Sequence, residues 1–147
     1  MTTTIDIRVA GLHLTARLES AAPRTCAAFL ALLPLRGSLL QARWSGESAW
    51  IPLGAADLGL AESGLGPENP TSHPAPGQLL LYPGGLSETE ILFPYGATLF
   101  ASKVGQLAGN HFATVDGGRE HLAELGRRVL WEGAQDITFA SPEAAVP

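Results

Sequence analysis

Two alternating strands that run straight into a proline-started apolar helix constrain this chain more than any other feature. In Ile5, Ile7, Val9 and then Leu12, Leu14, Ala16, Leu18, every second residue is apolar, with Asp6, Arg8, His13, Thr15 and Arg17 between them. Each strand therefore buries one face and wets the other. Gly11 supplies the turn, and Pro23 sets φ at the start of a helix expected over residues 24–33.

Pro34 and Gly37 then break the pattern, and residues 39–44 and 49–53 read as a second hairpin around Ser45-Gly46-Glu47-Ser48. Residues 54–77 carry Gly54, Gly59, Gly64, Gly66, Pro67, Pro70, Pro74 and Pro76, too many breakers for a helix or a central strand. A long loop is expected there, either a cover over a barrel mouth or a segment without fixed structure. Strands return at 78–82, 90–95, 110–115 and 135–139, each short, aliphatic or aromatic, and bounded by Gly, Pro or Ser. Before the last of them, Leu122, Leu125, Val129 and Leu130 recur at helix spacing beside Arg119, Glu120, Glu124, Arg127 and Arg128. The predicted fold is mainly β: a closed barrel of about eight strands with two helices capping its ends.

At 147 residues the chain fits one domain, 1–147, large enough to bury roughly 68–70% of its unfolded surface without a staple. The single cysteine, Cys26, falls inside the apolar helix and reads as a small core residue in a reducing compartment. A net charge of −5 with scattered acids argues against nucleic acid and against a polybasic membrane patch. Without a basic segment followed by an apolar run near Met1, a cytoplasmic protein is expected. Homo-oligomerisation stays open.

Several short stretches carry a family resemblance. Ala22-Pro23-Arg24-Thr25 followed by Ala28-Phe29 resembles the entry to the first helix of cyclophilins, Ala-Pro-x-Thr-x-x-Asn-Phe, with Ala28 at the asparagine. Leu107-Ala108-Gly109-Asn110-His111 and Val115-Asp116-Gly117-Gly118 are similar to the cyclophilin stretch that leads through a strand into the second helix. Pro76-Gly77-Gln78-Leu79, Tyr82-Pro83-Gly84-Gly85, Glu90-Ile91-Leu92-Phe93 and Gly109-Asn110-His111-Phe112-Ala113 resemble more closely a bacterial family of uncharacterised cyclophilin-like proteins. The implied fold is a cyclophilin-like barrel.

The departures bear on function. Arg43 falls where prolyl isomerases of this fold carry an arginine, but the Gln-Gly-Gly-Asp and Gln-Phe-Phe elements are missing, and Gln106 stands at the usual tryptophan. A groove converted from peptide to small molecules follows, in a cofactor-independent acid–base enzyme. Opine synthases similar to this group condense an amino acid with a 2-oxo acid in a Pictet-Spengler reaction, and the resemblance extends that expectation here. A non-catalytic module for a small acid or amide, and a residual prolyl isomerase, are the alternatives.

Candidate chemistry concentrates on a few side chains. By resemblance His111 lines the groove, and an imidazole exchanges a proton near neutral pH; the other reading is a hydrogen-bonded barrel histidine. Strand alternation places His111 with Ala113 and Val115. Lys103 is the only lysine beside eight arginines; it either activates a carboxylate or carbonyl, or reflects an Arg-rich composition. Glu90 and Tyr95 would complete proton transfer. Binding is assigned to Arg43, Trp44, Glu47, Tyr82 and Phe93, where aromatic walls with a few polar handles suit a small, acidic ligand. His13, His73, His111 and His121 lack metal-ligand spacing, and Pro83-Gly84-Gly85 lacks a following helix, so neither a metal nor a nucleotide is expected.

Overall fold

The first two strands pair as the alternation requires: Ile5 lies opposite Ala16 and Ile7 opposite Leu14, all four buried. The computed structural model describes residues 3–54 and 64–142. In chain order these form β1 (Thr4–Val9), β2 (Leu12–Leu18), α1 (Pro23–Leu30), β3 (Leu35–Gln41), β4 (Gly46–Pro52), β5 (Pro70–Thr71), β6 (Gln78–Tyr82) and β7 (Glu90–Thr98). Then come β8 (Ala101–Ser102), β9 (Gly105–Gln106), β10 (Gly109–Gly117), a 3₁₀ turn (Arg119–His121), α2 (Leu122–Glu132) and β11 (Gln135–Ala140).

Eight of these strands close an antiparallel barrel in the order β2-β1-β11-β3-β4-β7-β6-β10, with β10 returning to β2. The interior is filled by Ile7, Leu39, Ile51, Phe93 and their neighbours. Phe29 of α1 reaches into it, its ring 4.8 Å from Phe112 and 5.5 Å from Phe139. No helix among the described residues is long and apolar enough to cross a membrane.

Three expectations are corrected. β3 begins at Leu35, not 39, because Leu35 to Leu39 pair with β11; Gly37 is tolerated inside the strand since a Cβ there would meet Ile51 Cγ2 at 2.9 Å. The β8–β9 hairpin was not foreseen, its strands being two residues each.

The third correction concerns the long loop. Its residues 55–63 lie outside the described ones, but 64–71 are a packed element and not a free cover. Ala22 offers no side-chain cap to α1, and Glu68 supplies one from a distance: its carboxylate accepts the N–H groups of Thr25 (2.7 Å) and Arg24 (3.2 Å) and the Thr25 hydroxyl (2.8 Å). Burial works against that carboxylate, yet these donors hold it below its ordinary range. Buried Asn110 completes the knot, donating to Thr25 Oγ1 (3.1 Å) and to the Gly66 carbonyl (2.9 Å) and accepting from Glu68 N (3.0 Å). Leu65 is buried in the core, and Pro70-Thr71 pair with β10.

Asn110→Ala should therefore cost about 3 kcal/mol, since it orphans buried partners as well as removing bonds. Urea denaturation measures the loss, and hydrogen exchange should show amides 64–69 opening before the barrel strands. A variant as stable as the parent would mean that this knot holds nothing.

Candidate functional site

With the barrel interior full, the outer face of one wall carries the second apolar surface. Leu40, Trp50, Leu92 and Leu80 stand opposite one another across β3, β4, β7 and β6, forming one outward row. Leu80, Leu92, Ala42 and Tyr82 cluster with Phe100 and Leu107, which flank the β8–β9 hairpin. Beside this cluster opens a cleft of about 330 Å³ between the β3–β4 turn, the β8–β9 hairpin and residues 87–90. Its charged lining is Arg43, Glu88, Glu90 and Lys103, and its aromatic lining Trp44 and Trp50.

Glu90 sits one outward step along β7 from Leu92, opposite Pro52 and Tyr82. It is 8% exposed, and burial, reinforced by the negative charge of Glu88, pushes its carboxyl up to about 7. Trp44 stands at the mouth, 61% exposed, while Trp50 packs into the wall. Ser45 fastens the two arms that carry the cations: its hydroxyl donates to the Ala101 carbonyl (2.9 Å) and accepts the Ala101 N–H (3.0 Å), and its own carbonyl accepts Leu99 N–H (3.1 Å). Among the described residues no three His, Cys, Asp or Glu side chains gather as metal ligands.

Of the nine residues singled out in the sequence, the structure brings Glu90, Lys103, Arg43 and Trp44 together. Phe93 is a core residue, and Tyr95 packs inward with it: strand parity puts both on the face opposite Glu90. The Tyr95 phenol donates to Gln41 Oε1 (2.8 Å), and burial raises its pKa. Glu47 lies against Gly96 and accepts the Ala97 N–H (2.9 Å), bracing the β4–β7 edge. Tyr82 belongs to the supporting cluster, its hydroxyl accepting N–H groups of Leu86 and Ser87.

His111 is elsewhere. A bulge against β6 between His111 and Ala113 turns both Phe112 and Ala113 into the core, so His111 shares a face with Thr114 and not with Ala113 and Val115. Its Nε2 lies 2.8 Å from Thr114 Oγ1, which donates to Glu19 Oε2 (2.7 Å), and 4.0 Å from that same oxygen. Burial lowers its pKa, against the pull of Glu19 and the Ala113 carbonyl and with help from Arg17. The expected Lys103 neighbour is not what holds it neutral. A second cavity of about 440 Å³ opens beside this cluster, with Arg17, Glu19 and Cys26 in its lining. Cys26 is the buried core thiol expected, donating to the Phe112 carbonyl.

Glu88 also lines the site, a residue expected from the sequence only to pair with Lys103 or His111, and Ser45 is a site residue that sequence reasoning left without a role. Glu88 precedes Glu90 by two, the spacing that puts two side chains on one strand face; nothing local marks Ser45.

Two titrations follow. Because the native carboxyl of Glu90 binds its proton up to about 7 and an unfolded one only to about 4.3, stability falls as pH rises through that window and stays lower above it. Glu90→Gln should therefore be more stable than the parent at pH 8, by on the order of 3 kcal/mol, and no more stable at pH 4; equal gains at both would refute the buried charge. For His111, NMR should show Glu19→Gln lowering its midpoint, Arg17→Ala raising it, and Lys103→Met leaving it in place.

Comparison with known proteins agrees with the barrel. The family model described as Protein of unknown function (DUF3830) matches residues 5–141. Among solved structures, the chain is similar to McbB in complex with tryptophan, with a TM-score of 0.71 and 20% identity over 97% of this chain and 46% of that one. It is also similar to the hypothetical protein AF2241 from Archaeoglobus fulgidus, solved in solution, with a TM-score of 0.55 and 15% identity over 95% of each chain. This chain thus spans about half the length of McbB, 46%. No curated protein matches it. At these identities the likeness is one of fold, the cyclophilin-like barrel.

Proposed function

The chain belongs to the DUF3830 family of proteins of unknown function, and from there we propose that its outer cleft performs cofactor-independent acid–base chemistry on a small amine and a 2-oxo acid. The observation that carries this reading is Glu90. A carboxyl with its pKa near 7, shielded in a cleft beside two cations and two indoles, both gives and takes a proton at neutral pH.

In a Pictet-Spengler-type condensation the amine nitrogen adds to the 2-oxo carbon. Glu90, as the acid, protonates the resulting hydroxyl, which leaves as water and gives an iminium ion. An aromatic carbon of the amine attacks that ion, and Glu90, now a carboxylate, removes the ring proton to restore aromaticity and its own starting form. Amine and 2-oxo acid thus yield one product and water. Arg43 and Lys103 would hold carboxylates, Arg through its planar fork and Lys as a point charge. Trp44 and Trp50 would pack the aromatic body. That McbB was solved with tryptophan, an amine bearing an aromatic carbon nucleophile, supports this class of substrate by analogy of fold. His111 and Tyr95 give up the acid–base role first assigned to them.

Incubation of the protein with tryptophan or tryptamine and pyruvate or glyoxylate, followed by mass spectrometry, should yield a product equal to the two masses less water. Glu90→Gln should slow it by about a hundredfold or more. Saturable binding at the cleft without product from any pair would assign the protein as a non-catalytic small-molecule module. Proline-peptide isomerisation abolished by Arg43→Ala would assign the residual isomerase.

A further inference from the structure

The second cavity, of about 440 Å³, shares no lining residue with the outer cleft and lies between the end of β2 and one side of α1. Thr25, Cys26 and Phe29 turn α1 towards the core, yet the helix has another apolar side. Pro23, Ala27 and Leu30 follow one another at spacings of four and three, which stacks them on one face. All three are exposed and stand in the cavity wall, with Leu18 and Cys26 completing its apolar lining. An apolar stripe left in water favours an apolar occupant.

The polar lining carries both signs of charge. Arg17 and Glu19 lie two residues apart, with Arg17 Nε 3.7 Å from Glu19 Oε2. That same oxygen accepts the Thr114 hydroxyl (2.7 Å), which in turn lies 2.8 Å from His111 Nε2. The carboxylate is thus anchored through one oxygen, and among the described residues Oε1 has no hydrogen-bond partner. The half-exposed guanidinium is likewise engaged through Nε, which leaves its Nη edge for an acceptor. An open pair at this separation gains little from its own attraction, so both charges remain available to a ligand.

The matching ligand carries an anion and a cation on one head and an apolar body behind it. An α-amino acid does so, with its carboxylate on the Arg17 edge, its ammonium on Glu19 Oε1 and its side chain along α1. A plain carboxylic acid would set its anion beside Glu19 with nothing to offset it, and a plain amine would meet Arg17 in the same way. We propose that this cavity is a binding site for a free apolar α-amino acid, its head read by Arg17 and Glu19 and its side chain by Pro23, Ala27 and Leu30. The site is separate from the outer cleft and does not depend on the reaction proposed there. Its ligand would rest on the carboxylate that anchors Thr114, and His111 reports that event from one hydrogen bond away.

NMR titration of the full chain with leucine tests this, read at the His111 ring and the Leu30 methyl groups. Both should shift saturably at about millimolar concentration, as suits a ligand of this size, while the Trp44 and Trp50 indoles stay in place. Leucinamide, which keeps the ammonium, and 4-methylpentanoate, which keeps the carboxylate, should each bind about tenfold more weakly or worse. Arg17→Ala and Glu19→Gln should each weaken leucine by about tenfold, and Ala27→Phe, which fills the cavity from an exposed position, should abolish its binding. No saturable shift at His111 and Leu30 overturns the proposal, as does equal affinity for leucinamide or 4-methylpentanoate. Should either charge variant fail to fold, leucine binding undiminished in Ala27→Phe overturns it.

Discussion

Closing the sheet on itself is the constraint from which the rest of the molecule follows. β10 bonds β6 along one edge and β2 along the other, so no barrel strand is left as an open edge. Closure at eight strands also limits the interior to what its own side chains fill, here with Phe29, Phe112 and Phe139 in contact. The bulge in β10 serves that packing by sending two successive residues inward, and the proposed ligand site accordingly lies on the outside.

The outer cleft exists because one wall has apolar residues on both faces. Leu40, Trp50, Leu92 and Leu80 would be a bare stripe in water, and the segment around the β8–β9 hairpin covers only part of it. Glu90 sits where that cover ends, dry enough to resist ionisation. A buried acid of this kind costs stability above neutral pH, a cost that the proposed acid–base role would account for.

Much of the fold was legible because strand alternation and helix period are local. The first hairpin, both helices and the later barrel strands follow from which residues are apolar and where Gly and Pro interrupt them. What escaped depends on distant partners. β3 starts early because β11 pairs with it, and residues 64–71 are ordered by Glu68 and Asn110 reaching α1. The candidate site divides in the same way. Glu90, Lys103, Arg43 and Trp44 are conspicuous by chemistry, whereas Phe93 and Tyr95 conflict with Glu90 by strand parity, a conflict already present in the numbering. His111 was misplaced by a bulge that no local pattern announces, and the Ser45 and Tyr82 fastenings show only once the loops are folded together.

The central claim, that ligand chemistry belongs to the outer cleft, is tested most directly by the three tryptophan indole N–H resonances, two from the cleft and one, Trp131, exposed on α2. Titration with tryptamine and with pyruvate should move the Trp44 and Trp50 signals saturably and leave Trp131 where it is. Saturable shifts confined to the Arg17, Glu19 and His111 cluster, with both cleft indoles silent, would contradict it.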